Sequence, residues 1–268
     1  ELETHYFPAY LEPGKPNLNE ALYFLHKPPT DVDIPSLEAK QYPQQKILAL
    51  EEIVAHQIAL KKSREHFKRE RAIPIHIEES TLADFKSLLP FTMTGAQDRV
   101  ISEIEHDIQS QSPMMRLVQG DVGSGKTVVA AAALLHAAKA GFQAVFMAPT
   151  ELLAEQHSIN LKKWFDEFNI QTELLTGKLT EKQKREAYAR ISSGESKIIV
   201  GTHAVFQENV QYHSLNLVII DEQHRFGVEQ RLALQRKAAE GFTPHQLMMT
   251  ATPIPRTLAM TAYADLSS

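Results

Sequence analysis

The chain has 268 residues, 28 Lys+Arg against 33 Asp+Glu, 43% hydrophobic residues and no cysteine. That length holds one full domain plus a smaller piece, and the ordinary apolar and charged shares exclude disordered, collagen-like and coiled-coil classes. Disulfides, thiolate zinc sites and cysteine nucleophiles are excluded, and the longest apolar run, Val128–Leu135, falls far short of a membrane span. No basic-then-apolar leader pattern opens the sequence, so a soluble cytoplasmic protein with no membrane partner is expected. The formal net charge of −5 argues against a bulk electrostatic binder of nucleic acid. Residues 1–60 carry 4 basic and 9 acidic side chains while the remainder balances at 24 of each, so any such affinity must come from local patches.

Seven of the 14 prolines fall in the first 43 residues. This stretch reads as an extended connector with one short amphipathic piece at Leu18 to Leu25. From Gln44, Ile47, Leu48, Leu50, Ile53, Val54, Ile58 and Leu60 recur at helical spacing, which predicts a long helix to about Arg71. Its last part, Lys61 to Arg71, holds 6 basic and 2 acidic residues. A solvated helix face and a phosphate contact both fit that composition.

A different pattern starts near Thr92. Short apolar runs at Met115–Gln119, Ala144–Ala148, Lys197–Val200, Leu217–Ile220 and Leu247–Met249 are mostly separated by helical stretches. Gly141 and Gly194 sit where helix ends need a left-handed residue, and Thr180 with Gln183 forms a capping-box start. Strands alternating with helices predict a doubly wound α/β domain with a mainly parallel sheet.

The strongest chemical signal is Gly120-Asp-Val-Gly-Ser-Gly-Lys-Thr127, placed between a predicted strand and a predicted helix. Gly120, Asp121, Val122, Gly123, Ser124, Gly125, Lys126 and Thr127 form a phosphate loop whose backbone N–H groups turn inward at a helix N-terminus. Lys126 is expected to reach the β- and γ-phosphates and the Thr127 hydroxyl to ligate Mg2+. In Leu217-Val-Ile-Ile-Asp-Glu-Gln-His224, an apolar strand ends in a carboxylate at the carboxyl edge of the sheet. Asp221 is expected to hold Mg2+ through its water shell, and Glu222 to act as general base on the attacking water. For His224, coupling of hydrolysis to movement and simple packing beside the loop both stand.

Weaker segments occupy the same kind of strand end. Ala148-Pro-Thr-Glu151 opens a helix whose N–H groups fit a phosphate; Thr176-Gly177 and Gly201-Thr-His-Ala204 follow other strands. Thr250 and Thr252 carry two hydroxyls suited to sensing a γ-phosphate. Upstream, Phe91 and Gln97 offer an aromatic face and an amide, the elements of adenine stacking and edge pairing.

With these segments in this order, the chain resembles the superfamily 2 helicases and translocases, and among them the bacterial helicases of branched DNA. The words that carry the resemblance are Met114–Thr127, Met147–His157, Val218–Gly227 and Met249–Thr257, and it covers the whole chain. It implies a RecA-like P-loop NTPase domain at 76–268, preceded by an extended and helical linker at 1–75. It implies ATP and Mg2+ as cofactors, branched double-stranded DNA (stalled forks and Holliday junctions) as partner, and a bacterial monomer. Lys126, Asp221 and Glu222 would be catalytic, with Asp221–His224 the DExH box. Gln223, His224, Thr250 and Thr252 would couple hydrolysis to movement. Phe91 and Gln97 would read adenine, while Pro149, Thr150, Gly177, Thr202 and His203 would face DNA. Nothing in the sequence matches the second motor domain or its arginine finger, so this piece alone is expected to hydrolyse ATP weakly or not at all. Two other readings are a transcription-repair coupling translocase, which usually has Phe at the place of Ser124 and Glu at that of Gln223, and a nucleotide-binding module without hydrolysis.

Overall fold

The computed structural model describes residues 16–67, 70–221 and 237–251. Contacts divide the chain into two units, Glu1–Ser63 and Arg64–Ser268. In the first, α1 (Leu18–His26) starts at a capping box in which the Asn17 side chain accepts from the Glu20 N–H and the Glu20 carboxylate accepts from the Asn17 N–H. A second short helix, α2 (Ile34–Glu38), is capped by Asp33, and its approach is fixed by the Asp33 N–H donating to Tyr42 Oη at 2.9 Å. Helix α1 falls on the short amphipathic piece expected at Leu18 to Leu25, whereas α2 lies where the sequence pattern reads as extended connector. The long helix α3 spans Pro43–Phe67, ending short of the expected Arg71. Leu50 and Ile53 on it are exposed; helical spacing predicted the helix, but none of its described side chains is fully buried.

In the second unit α4 (Glu79–Leu88) and α5 (Gly95–Ile108) precede the first strand. Among the described residues six strands follow: β1 (Met115–Gln119), β2 (Gln143–Met147), β3 (Thr172–Leu175), β4 (Ile198–Gly201), β5 (Leu215–Asp221) and β6 (His245–Thr250). Their helices are α6 (Lys126–Lys139), α7 (Glu151–Phe165) and α8 (Glu181–Ser192). The strands form one sheet in the order β1-β6-β5-β2-β4-β3, with every pairing parallel. Strand residues alternate between two buried faces, as a sheet covered on both sides requires. Ala144, Phe146, Leu217 and Ile219 point to one core with Phe85, Ile104, Leu134 and Phe165. Val145, Met147, Val218 and Ile220 point to the other with Ala187 and Ile191 of α8. Helix α6 is buried from Val128 through Ala138, and its alanine-rich sequence lets it lie between the sheet and α5. Among the described residues no helix is long and apolar enough to cross a membrane.

Buried polar side chains pin the backbone between elements. Gln143, fully buried, donates from Nε2 to the carbonyls of Ile191 and Ser196, both at 2.8 Å. Its Oε1 accepts from the N–H groups of His213 (2.7 Å) and Ser214 (3.0 Å). Replacing it with leucine strands four backbone groups, each orphan costing about 1–3 kcal/mol. Gln143→Leu is therefore expected to lose at least ~3 kcal/mol of unfolding free energy in urea titration; a loss under ~1 kcal/mol would mean that water replaces the amide.

Candidate functional site

Because all six strands are parallel, their carboxyl ends share one edge, where open α/β sheets bind ligands. The strand order splits the expected site residues into two groups. The phosphate loop follows β1, Thr250 ends β6 and Asp221 ends β5, so three adjacent strands present the nucleotide candidates. Pro149 and Thr150 follow β2, Thr202 and His203 follow β4, and Gly177 follows β3, so the other three present the DNA candidates. Asp221 stands at the seam, since β5 pairs with both β6 and β2.

The phosphate loop takes its shape from glycine. Gly123 and Gly125 both have φ of +83°, the left-handed region open to glycine, and Gly125 is the N-cap of α6. The loop is tied to β6 by the Gly120 N–H donating to the Thr250 carbonyl at 3.2 Å. Lys126 folds back on the loop, donating from Nζ to the carbonyls of Gly120 (2.6 Å) and Asp121 (3.0 Å). Val122, at the loop tip, is 90% exposed.

Gln97, expected from the sequence at an adenine edge, stands beside this loop and is bonded within the protein. It closes a capping box on α5, its Oε1 accepting from the Thr94 N–H at 2.8 Å. Its Nε2 donates to the Ser124 carbonyl at 3.0 Å. The amide is thus a clasp between the start of α5 and the phosphate loop, with one N–H and one lone pair uncommitted by these bonds. The signal was present in the sequence as Thr-x-x-Gln, the same pattern that marked Thr180 and Gln183.

A cleft of about 580 Å3 opens between these parts, with Phe91, Gln97, Gly123, Lys126, Thr127 and Asp221 in its wall. Phe91 in this wall is 47% exposed. Three wall residues, Leu153, His157 and Trp164 of α7, were not singled out from the sequence. Trp164 is held edge-on against Phe85 with ring centroids 5.8 Å apart. His157 lies on Phe146 with centroids 4.7 Å apart, and its Nε2 is 3.3 Å from Asp221 Oδ2. Thr127 and Asp221 supply the hydroxyl and carboxylate oxygens that a hard cation takes, with phosphates and water filling the remaining positions, so the donor set fits Mg2+.

On the other half of the edge, Thr150 caps α7, its Oγ1 accepting from the Leu153 N–H at 3.3 Å. A β-carbon at Gly177 would stand 2.9 Å from Glu151 Oε1, so glycine allows that loop to approach α7. Lys178 then reaches Glu151 Oε2 at 3.4 Å and Glu155 Oε1 at 3.5 Å. Contact with Glu151, followed by the charge of Glu155, holds its ammonium above the usual lysine range. Thr202 leads into a 3-10 turn at His203–Phe206. Glu222, Gln223, His224 and Thr252 lie outside the described residues.

A phosphate loop after the first strand of a parallel sheet, with a carboxylate at the end of the strand two places away, defines a RecA-like nucleotide-binding domain of helicase type. The chain belongs to the DEAD/DEAH box helicase family, whose model matches residues 94–261. It is similar to the ATP-dependent DNA helicase RecG of Escherichia coli K12, 53% identical over 97% of this chain and 38% of that protein. The RecG of Haemophilus influenzae is 51% identical over the same shares. The chain thus spans less than two fifths of the length of these relatives. Among solved structures, a RecG bound to a three-way DNA junction superimposes with a TM-score of 0.73 at 41% identity, covering 92% of this chain and 32% of that one.

Proposed function

We propose that this chain is the ATP-binding motor domain of a bacterial helicase that remodels branched double-stranded DNA, working with Mg2+ as a monomer in the cytoplasm. The observation that carries the reading is the convergence of Lys126, Thr127 and Asp221 on one cleft at the carboxyl edge of the sheet. Residues 1–75 serve as the linker and 76–268 as the motor domain in this reading. Lys126 exchanges its bonds to Gly120 and Asp121 for the β- and γ-phosphates, while the loop N–H groups cradle them. Thr127 and Asp221 hold Mg2+, which would neutralise charge developing on the phosphates. Phe91 stacks on adenine and the uncommitted N–H and lone pair of Gln97 meet its edge. Glu222, next after the Asp221 carboxylate, activates the attacking water. Gln223, His224, Thr250 and Thr252 relay the state of the γ-phosphate. Pro149, Thr150, Gly177, Thr202 and His203 contact DNA backbone, which supplies affinity and register without reading sequence.

The test is binding of a fluorescent ATP analogue with Mg2+, for the unmodified chain and for Lys126→Ala. Loss of a charged partner to phosphate costs about 1.5–3 kcal/mol, so the Kd should rise by roughly tenfold to a hundredfold. Equal binding by both would remove Lys126 from the site and the proposed function with it.

A further inference from the structure

We propose that His157 is a positioning residue for the Asp221 carboxylate, orienting it toward the metal of a bound Mg2+-nucleotide; the proposal rests on the ATP-binding reading above. His157 comes from α7, the helix that follows β2, and Asp221 ends β5, the strand paired with β2. The two side chains meet where each is 14% exposed, with Nε2 at 3.3 Å from Oδ2. So little water surrounds the pair that their polar contact is screened less than one on the open surface. The imidazole is itself fixed from behind, because its ring lies against Phe146 of β2 with centroids 4.7 Å apart and an interplanar angle of 47°. Phe146 is fully buried in the sheet core, so this backing is rigid.

A carboxylate at a strand end turns readily, since its terminal torsion has a broad, two-fold profile. Contact with His157 engages one of the two oxygens, and Asp221 lines the same cleft as Thr127. Preorganisation of this kind favours the metal-bound nucleotide over the metal-free one. It leaves the nucleotide's contacts with the phosphate loop and with Phe91 unchanged. The same logic holds for metal ligands in general, whose outer partners fix their orientation and tune affinity by about tenfold or more when removed.

The experiment measures the Kd of a fluorescent ATP analogue in Mg2+ and again in EDTA, and takes the ratio as the metal-dependent gain. His157→Phe retains an aromatic ring for Phe146 but has no N–H to offer. It should cut the gain about tenfold and leave the EDTA value unchanged. His157→Gln, which keeps a donor, should hold the gain within about threefold of the unmodified chain. In an Asp221→Asn background, His157→Phe should have no further effect on the ratio. An unchanged gain in His157→Phe overturns the proposal, and so does equal weakening in Mg2+ and EDTA, which would make His157 a packing residue only. Should the Phe variant fail to fold, a tenfold loss of gain in His157→Gln overturns it as well. An unmodified chain that binds no nucleotide overturns the ATP-binding reading and this proposal together, whereas normal Mg2+-dependent binding with an unresponsive His157→Phe overturns this proposal alone.

Discussion

Gly125→Ala is expected to abolish nucleotide binding, raising the Kd of an ATP analogue at least ~100-fold, and to destabilise the domain besides. Gly125 has φ of +83°, where a β-carbon costs about 1–2 kcal/mol. The β-carbon would also stand 2.2 Å from Gln97 Nε2, a distance no real contact tolerates. Gln97 must then swing away, and its bond to the Ser124 carbonyl is lost with it, for about another 1 kcal/mol. Displacing either partner moves the loop N–H groups off the phosphate positions, which is why binding suffers more than stability. Gly123→Ala is the control. Its φ is the same +83°, but nothing lies within 4 Å of the added carbon, so it bears the backbone strain alone. Unfolding in urea should therefore rank Gly125→Ala below Gly123→Ala by about 1 kcal/mol. Equal stabilities would mean that the clasp by Gln97 contributes nothing.

The parts of this domain that the sequence made legible are those whose cause is local. Five of the six strands stand on apolar runs, and the phosphate loop is marked by glycines at fixed spacing between a strand and a helix. Strand β3 escaped because Thr172-Glu-Leu-Leu175 is only half-buried until Leu175 and offers no apolar run. Helix α5 could have been found, since Ile101, Ile104 and Ile108 keep helical spacing behind the Thr94 capping box. What no spacing rule reaches is a polar group whose partner is distant along the chain. Gln97 meets Ser124 across 27 residues and Gln143 meets Ser214 across 71. His157 faces Asp221 only because the sheet order places β2 beside β5, a fact of topology that neither segment states by itself. Candidate residues at a single strand end were therefore readable one at a time, while their separation onto two sets of three adjacent strands was not.

His245 gives the second large expected effect, a loss of stability on mild acidification. It is fully buried at the start of β6. Its Nδ1 accepts from the Met114 N–H at 3.0 Å, so in the neutral ring the proton sits on Nε2 and faces the Ile73 carbonyl at 3.2 Å. The Ile73 carbonyl also accepts from Asn216 Nδ2 at 2.8 Å, and the Thr243 N–H donates to the Arg71 carbonyl at 2.8 Å. His245 thus staples the segment leading into α4 onto the amino ends of the central strands. Burial pushes its pKa down from 6.5 to about 4, opposed only partly by the Ile73 bond and by Asp107. A second proton would have to enter on Nδ1, directly against the Met114 N–H. Between those pH values the unfolded chain binds a proton that the folded chain refuses, so the contribution is complete above pH 6.5 and is lost as pH falls toward 4. The full gap corresponds to about 3 kcal/mol, of which about 2 kcal/mol should be gone by pH 5. His136, whose pKa burial also lowers against the opposing pull of Glu105, acts in the same direction. Urea titrations of the unmodified chain and of His245→Asn at pH 7.5, 6 and 5 separate the two histidines, because only His245 is missing from the variant. The variant should be the less stable at pH 7.5 and should lose stability less steeply, the two curves drawing together by about 2 kcal/mol at pH 5. Parallel curves would mean that His245 takes up its proton in the folded chain at the same pH as in the unfolded one, and that the staple survives a charged imidazole.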